Sequence, residues 1–147
     1  MSALIGQLHA DLNASRKAHD KPATLLLGTI IADARNREIE LHRDLTDEDV
    51  VEVLRRGIKK RRESIEMYVT GKREELADKE RHEVELLEKY LPAAVDPQEI
   101  RAAVKAAIAA GAANVGAVMG KVMPQFKGRA EGGTINAIVR EELAPKE

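Results

Sequence analysis

Residues 46–91 read TDEDVVEVLRRGIKKRRESIEMYVTGKREELADKERHEVELLEKYL, and the reading of this stretch decides the fold. Thr46 stands directly before Asp47, Glu48 and Asp49. A hydroxyl there can cap free backbone N–H groups, and acids in a first turn complement the positive end of the helix dipole. Val50, Val51, Val53 and Leu54 then begin an apolar pattern, and the spacing predicts a helix to about Val69, with Gly71 as its stop. A further helix from about Arg73 to Leu91 carries Leu76, Val84, Leu87 and Leu91. Two long helices joined at Thr70-Gly71-Lys72 are expected to fold back on each other as an antiparallel hairpin.

Toward the N-terminus, Leu4, Leu8 and Leu12 keep a helical period that fades at the Lys21-Pro22 step. Pro22 suits the first turn of the next helix, which runs through Leu25, Leu26, Thr29, Ile30, Asp33 and Arg37 to about His42. The unbroken apolar run Leu25 to Leu27 reads as deeply buried, and Asp44-Leu45 forms the break. Toward the C-terminus, Pro92 and Pro97 flank Ala93-Ala94-Val95-Asp96, a linker that divides the chain into domains 1–93 and 94–147. Asp96-Pro97-Gln98-Glu99 combines an N-cap, a first-turn proline and a capping-box acid, and launches a helix through Ile100, Val104 and Ile108 to Gly111. Asn114 caps a short helix with Val115, Val118, Met119 and Val122, ended by Pro124; after Lys127-Gly128-Arg129 a last helix carries Ile135, Ile138, Val139 and Leu143. The expected fold is all-α: an N-terminal helical domain with a long antiparallel hairpin, and a small C-terminal three-helix domain.

Composition agrees with that class. The aromatics are Tyr68, Tyr90 and Phe126 alone, beside 44% hydrophobic residues rich in Ala and 33% charged residues, so strands have little to be built from. A chain of 147 residues is long enough to bury roughly 70% of its unfolded surface. The absence of Cys excludes disulfides, thiolate catalysis and Cys-based zinc sites. Residues 1–20 contain no signal-peptide apolar block, and no run of apolar residues reaches membrane-spanning length. A soluble cytoplasmic protein with no membrane partner is expected. The net charge of -1 gives no whole-molecule attraction to nucleic acid, so any such binding must rest on a local patch.

Two basic patches are candidates. Arg55, Arg56, Lys59, Lys60, Arg61 and Arg62 form a run without an acid. On a helix they spread around most of the circumference, and the facing helix carries Glu74, Glu75, Asp78, Glu80, Glu83, Glu85 and Glu88. A turn near Gly71 would set Arg62 near Glu80, Lys59 near Glu83 and Arg55 near Glu88. The run then reads either as a salt-bridged, solvated hairpin or as a ligand patch, and exposed pairs of this kind contribute only about 0–1 kcal/mol each. The second patch is Arg101, Lys105, Lys121, Lys127 and Arg129, between Ile100 and Ala130, where no acid occurs and no local partner is expected. Lys127-Gly128-Arg129 sits at an inter-helix turn whose glycine admits close approach, with the N–H groups of the next helix free to meet a phosphate. Helix-dipole complementation by the lysine is the plainer alternative.

Catalytic and metal chemistry find no residues. His9, His19, His42 and His82 are scattered, Glu38 and His42 being the nearest approach to a paired spacing, and one such pair does not close a zinc site. Glu38/Glu40 and Glu141/Glu142 are ordinary for solvated helix faces. Phosphate-binding glycine motifs are missing, and Glu131-Gly132-Gly133 merely opens a helix. Ser2, Ser15 and Ser64 stand in no nucleophile context. No catalytic residue, metal or cofactor is expected. With no aromatic stacking platform, contact with RNA would be made through backbone and shape.

Three stretches go beyond generic helical character: Gly57-Ile-Lys-Lys-Arg-Arg-Glu-Ser-Ile-Glu-Met-Tyr68, Glu85-Leu-Leu-Glu-Lys-Tyr-Leu-Pro92, and Met119-Gly-Lys-Val-Met-Pro124 leading to Lys127-Gly-Arg-Ala130. With Ala18-His-Asp-Lys21, Leu25-Leu-Leu-Gly-Thr-Ile-Ile31 and Asn36, this order and spacing resembles the GatB/YqeY family over essentially the whole chain. The resemblance implies a stand-alone YqeY-like protein related to the C-terminal region of the amidotransferase subunit GatB, a tRNA-binding appendage. It carries over Lys121, Lys127, Gly128 and Arg129 as RNA-binding positions, with Lys59, Lys60 and Arg62 as a second surface, while Gly120 and Pro124 are assigned to packing and helix termination. The implied function is a non-catalytic module that binds tRNA or is associated with tRNA-dependent amidation. A protein-interaction adaptor for an enzyme partner is the alternative. The family's label of carbon-nitrogen ligase with glutamine as amido donor would demand ammonia generation and carboxylate activation, for which this chain shows no residues.

Overall fold

Most helices begin where a short polar side chain can take up free N–H groups. The computed structural model describes residues 2–145 and contains α1 (Ala3–Lys17), α2 (Lys21–Leu41), α3 (Asp47–Thr70), α4 (Glu74–Glu88), α5 (Pro97–Ala109), α6 (Val115–Val122) and α7 (Gly132–Leu143), with a 3-10 turn at Met123–Phe126. No strand occurs among the described residues, so the all-α class holds. Ser2, Asp20, Thr46, Asp96 and Asn114 are the N-caps whose side chains accept a backbone N–H. At α3 the cap is reciprocal: Thr46 Oγ1 accepts the Asp49 N–H at 3.2 Å and the Asp49 carboxylate accepts the Thr46 N–H at 2.8 Å.

The stops differ in detail from the sequence reading. Gly71 caps α3 at an ordinary φ of -80°, and it is Lys72 that takes the left-handed conformation, φ 59°. The Arg73 N–H then reaches the Tyr68 carbonyl at 2.8 Å, the long closing bond of a Schellman turn. Pro124 does not end the helix outright, because a proline fits the first turn of a tighter helix; the chain after α6 continues as the 3-10 turn. A Cβ built on Gly120 would meet nothing within 4 Å, so this glycine has no close-packing role.

The chain divides between Leu91 and Pro92 into two compact units. In the N-terminal unit, α1–α4 enclose a core in which Leu8, Ile30, Val50, Leu54 and Leu87 are fully buried. Leu26 and Leu27 belong to it, but Leu25 is 73% exposed: successive residues turn by about 100°, so three in a row cannot share one buried face of this helix. Two polar ties close the bundle. Ser2 Oγ donates to Asp47, fixing the start of α1 to α3, and the Tyr90 hydroxyl donates to Asp11 at 2.5 Å. Burial, then the Asp11 carboxylate, raises the pKa of that phenol. In the C-terminal unit α5–α7 surround Ile100, Val104, Val118, Val122, Phe126, Ile135 and Val139.

Gly57 marks the closest approach of α3 to its neighbours, because a Cβ there would lie 3.1 Å from Ile30 Cδ1 and 3.8 Å from Leu87 Cδ1. Gly57→Val adds a branched side chain to this filled space and is expected to lower stability by about 1–3 kcal/mol. A urea melt followed by circular dichroism would show the midpoint fall; an unmoved midpoint would mean that the helices can part there at no cost.

Candidate functional site

The C-terminal basic residues fall into two groups. Arg101 is not without partners: its Nη1 donates to Glu142 at 2.6 Å and its Nη2 to Glu141 at 2.7 Å, because α7 folds back along α5 and brings acids from some forty residues away. Arg129 is also held, its guanidinium 5.2 Å from the centroid of the Phe126 ring, donating to the Gln125 carbonyl at 3.0 Å and lying 3.7 Å from Glu99. The expectation that this patch lacks internal partners is therefore corrected at these two arginines. Lys121 lies in the last turn of α6 and is exposed, and Lys127 is exposed at the turn after the 3-10 segment. That turn has Gly128 at φ 75° and is closed by Arg129 and Ala130 N–H groups on the Phe126 carbonyl, at 2.8 and 3.0 Å. Glu131 is the N-cap of α7 without a side-chain cap hydrogen bond.

On the hairpin, internal neutralisation occurs, but between other residues than the turn position predicts. Arg61 Nε donates to Glu83 at 3.0 Å and Arg62 Nη2 to Glu88 at 2.6 Å, while Arg56 pairs with Glu52 along α3 at 2.6 Å. The reason lies in side-chain direction. Arg61 falls on the same α3 face as Leu54, Ile58 and Ile65 and is drawn inward, its side chain 14% exposed, whereas Lys59 projects to solvent. Of the second candidate surface, Lys59 and Lys60 keep their charges without an ion pair among the described residues, and Arg62 does not.

The same packing opens a polar cleft of about 500 Å³ in the N-terminal unit. One wall is the outer stripe of α2, with Thr29, Asp33, Asn36, Arg37 and Glu40; the other is α3, with Arg56, Gly57, Lys60, Arg61 and Ser64. Val53 is the apolar side chain of the lining, and Glu80 and Glu83 of α4 complete it. Arg61 also donates through Nη1 to the Gly57 carbonyl at 3.0 Å, fixing it along the cleft. Burial, together with the neighbouring Glu83 carboxylate, raises the pKa of Glu80. The sequence reading placed Asp33, Asn36 and Arg37 on a helix without treating them as a site. Their signal was present as polar residues recurring every three or four positions along α2, from Thr29 to Glu40.

Among the described residues no group of three His, Asp or Glu side chains is placed to hold a metal ion, and no helix is long and apolar enough to cross a membrane.

Similarity to known proteins runs along the whole architecture. The altered inheritance of mitochondria protein 41 of Pyrenophora tritici-repentis is 32% identical over 135 residues, covering 88% of this chain and 74% of that protein. Its namesakes in Candida glabrata and Kluyveromyces lactis are 29% and 31% identical over 60% and 58% of this chain, which spans about half of each, 50% and 47%. All three relatives are named as mitochondrial, and this overturns the expectation of a cytoplasmic protein, pointing to mitochondria instead. Composition could not have shown this, because the folded helices carry no mark of compartment. Residues 5–143 match the family described as Yqey-like protein, a span that takes in both helical units, and the chain belongs to that family.

Proposed function

We propose that this chain is a non-catalytic helical module that binds tRNA through its phosphate backbone and shape, in association with tRNA-dependent amidation, as its resemblance to the GatB appendage implies. The observation that carries the reading is the pair of exposed lysines, Lys121 and Lys127, on consecutive segments of an acid-free stretch, residues 100–130, around the left-handed Gly128. Arg129, held over Phe126 and near Glu99, shapes this turn. Lys59 and Lys60 offer a weaker second surface because their neighbours are neutralised within the hairpin.

Titration of the full chain with bulk tRNA over a range of salt is expected to give an affinity that falls with log salt as about three to five counterions are released. Lys121→Glu combined with Lys127→Glu should lower affinity at least about tenfold and flatten the salt slope by about two ions, with helical content intact since both side chains are exposed. Unchanged affinity and slope in the double variant would remove this surface from the reading.

A second reading, a protein-interaction adaptor, is favoured by Leu25, Ile39 and Met67, which are 73%, 64% and 73% exposed and rest on no core. A partner retained after nuclease treatment, and lost with Leu25→Ser and Met67→Ser, would favour it over the RNA reading.

A further inference from the structure

The charged groups along the α2–α3 cleft separate into those already engaged and those left over. Arg37 Nη1 holds Glu40 at 3.0 Å and Arg61 holds Glu83, while Arg56 is turned to Glu52, which does not line the cleft. Glu80 of α4 lies beside a second acid, Glu83, and has its pKa raised by burial and by that neighbour. The unengaged charges left facing each other on the α2 and α3 walls are Asp33 and Lys60, neither with an ion pair or side-chain hydrogen bond among the described residues. Asn36, one turn from Asp33, likewise keeps its amide unengaged. Arg37 Nε is buried with no acceptor, so its guanidinium gains by turning toward an oxyanion that enters the cleft.

We propose that this cleft binds a small zwitterion, an ammonium and a carboxylate on a short spacer, of which a free α-amino acid is the simplest. The ligand carboxylate meets Lys60 and the Asn36 amide, with Arg37 able to turn onto it, and the ligand ammonium meets Asp33. Charge balance selects this class. A ligand bearing only negative charge would face Asp33, Glu40 and the Glu80–Glu83 pair, and one bearing only positive charge would face Lys60 and the lining arginines. A neutral apolar ligand or a nucleobase finds no ring and only Val53 to lie against. The volume, about 500 Å³, falls in the range of roughly 300–1,000 Å³ usual for small-ligand sites. This site lies wholly in the N-terminal unit and does not depend on the RNA reading of the C-terminal one.

The test uses the full chain, isotope-labelled and titrated with each unmodified α-amino acid to millimolar concentration while backbone amide resonances are followed. N-acetylated and C-amidated forms of the best binder are run beside it. The expected result is a saturable shift confined to residues 29–40, 53–64 and 80–83. Each blocked form should bind about ten- to a hundredfold more weakly, the value of one charge-assisted contact. Lys60→Ala and Asp33→Ala should each abolish the shifts, and both sites are exposed, so the rest of the spectrum stays in place. A flat titration with every amino acid, blocked forms that bind as well as free ones, or shifts that survive both substitutions would each overturn the proposal.

Discussion

Replacing Leu54 by Ala is expected to destabilise the N-terminal unit by about 2–5 kcal/mol, a large part of the stability of a small domain. Leu54 is 0% exposed and sits in the core shared by α1, α2, α3 and α4. Truncation therefore removes transfer free energy and leaves a cavity that helices already in contact at Gly57 cannot readily close. We propose that the two units are independent domains, and the variant tests this, since Leu54 has no place in the core around Val104 and Val118. Residue-resolved amide exchange should show protection falling across α1–α4 and unchanged in α5–α7. Loss of protection in step along the whole chain would show that the units unfold as one.

Stability should also fall in acid, and Asp49 is the main reason. Its carboxylate receives a bidentate pair of hydrogen bonds from Arg43, at 2.6 and 3.2 Å, and accepts from both the backbone and the hydroxyl of Thr46. The Arg43 hydrogen bonds above all, with those of Thr46, hold its pKa well below the usual carboxylate range despite a burial that works the other way. An acid depressed on folding contributes stability that is complete above its unfolded pKa, about 3.9, and is lost as pH falls through the folded value. Asp47, depressed chiefly by the Ser2 hydroxyl, acts in the same direction. Glu80 acts in the opposite one, since burial beside Glu83 raises its pKa and protonation relieves a strain present at neutral pH. Thermal melts should therefore hold or rise slightly toward mildly acidic pH and then drop steeply below about pH 4. Asp49→Ala, which removes half of the capping box and the acceptor for Arg43, is expected to cost about 2 kcal/mol at neutral pH and to blunt the acid limb. An acid limb of unchanged depth in this variant would assign the effect to other carboxylates.

The local features of the fold were legible residue by residue. Thr46, Asp96 and Asn114 announce helix starts because capping involves groups only two or three residues apart. Leu8, Leu54, Leu87, Val104 and Val139 announce core faces because burial follows the helical period. The hairpin follows from two such patterns separated by a three-residue turn. Leu25 and Lys72 show the limits of the same reasoning: a run of apolar letters hides which face is inward, and a glycine beside a lysine does not say which takes the left-handed turn.

Charge partners were less legible. Arg101 finds Glu141 and Glu142, and Arg62 finds Glu88 rather than Glu80, because a long side chain pairs with whatever its helix face is turned toward, near or far in sequence. By itself the sequence determined the helices, their starts, the apolar faces and the family, all of which rest on interactions among near neighbours or on the order of residues along the chain. Only the tertiary structure decided which acids Arg61, Arg62 and Arg101 meet, and that Asp33 and Lys60 line opposite walls of one cleft. Those outcomes depend on how α2, α3 and α4 are rotated about their own axes, and that rotation is set by the packing of all the core side chains together.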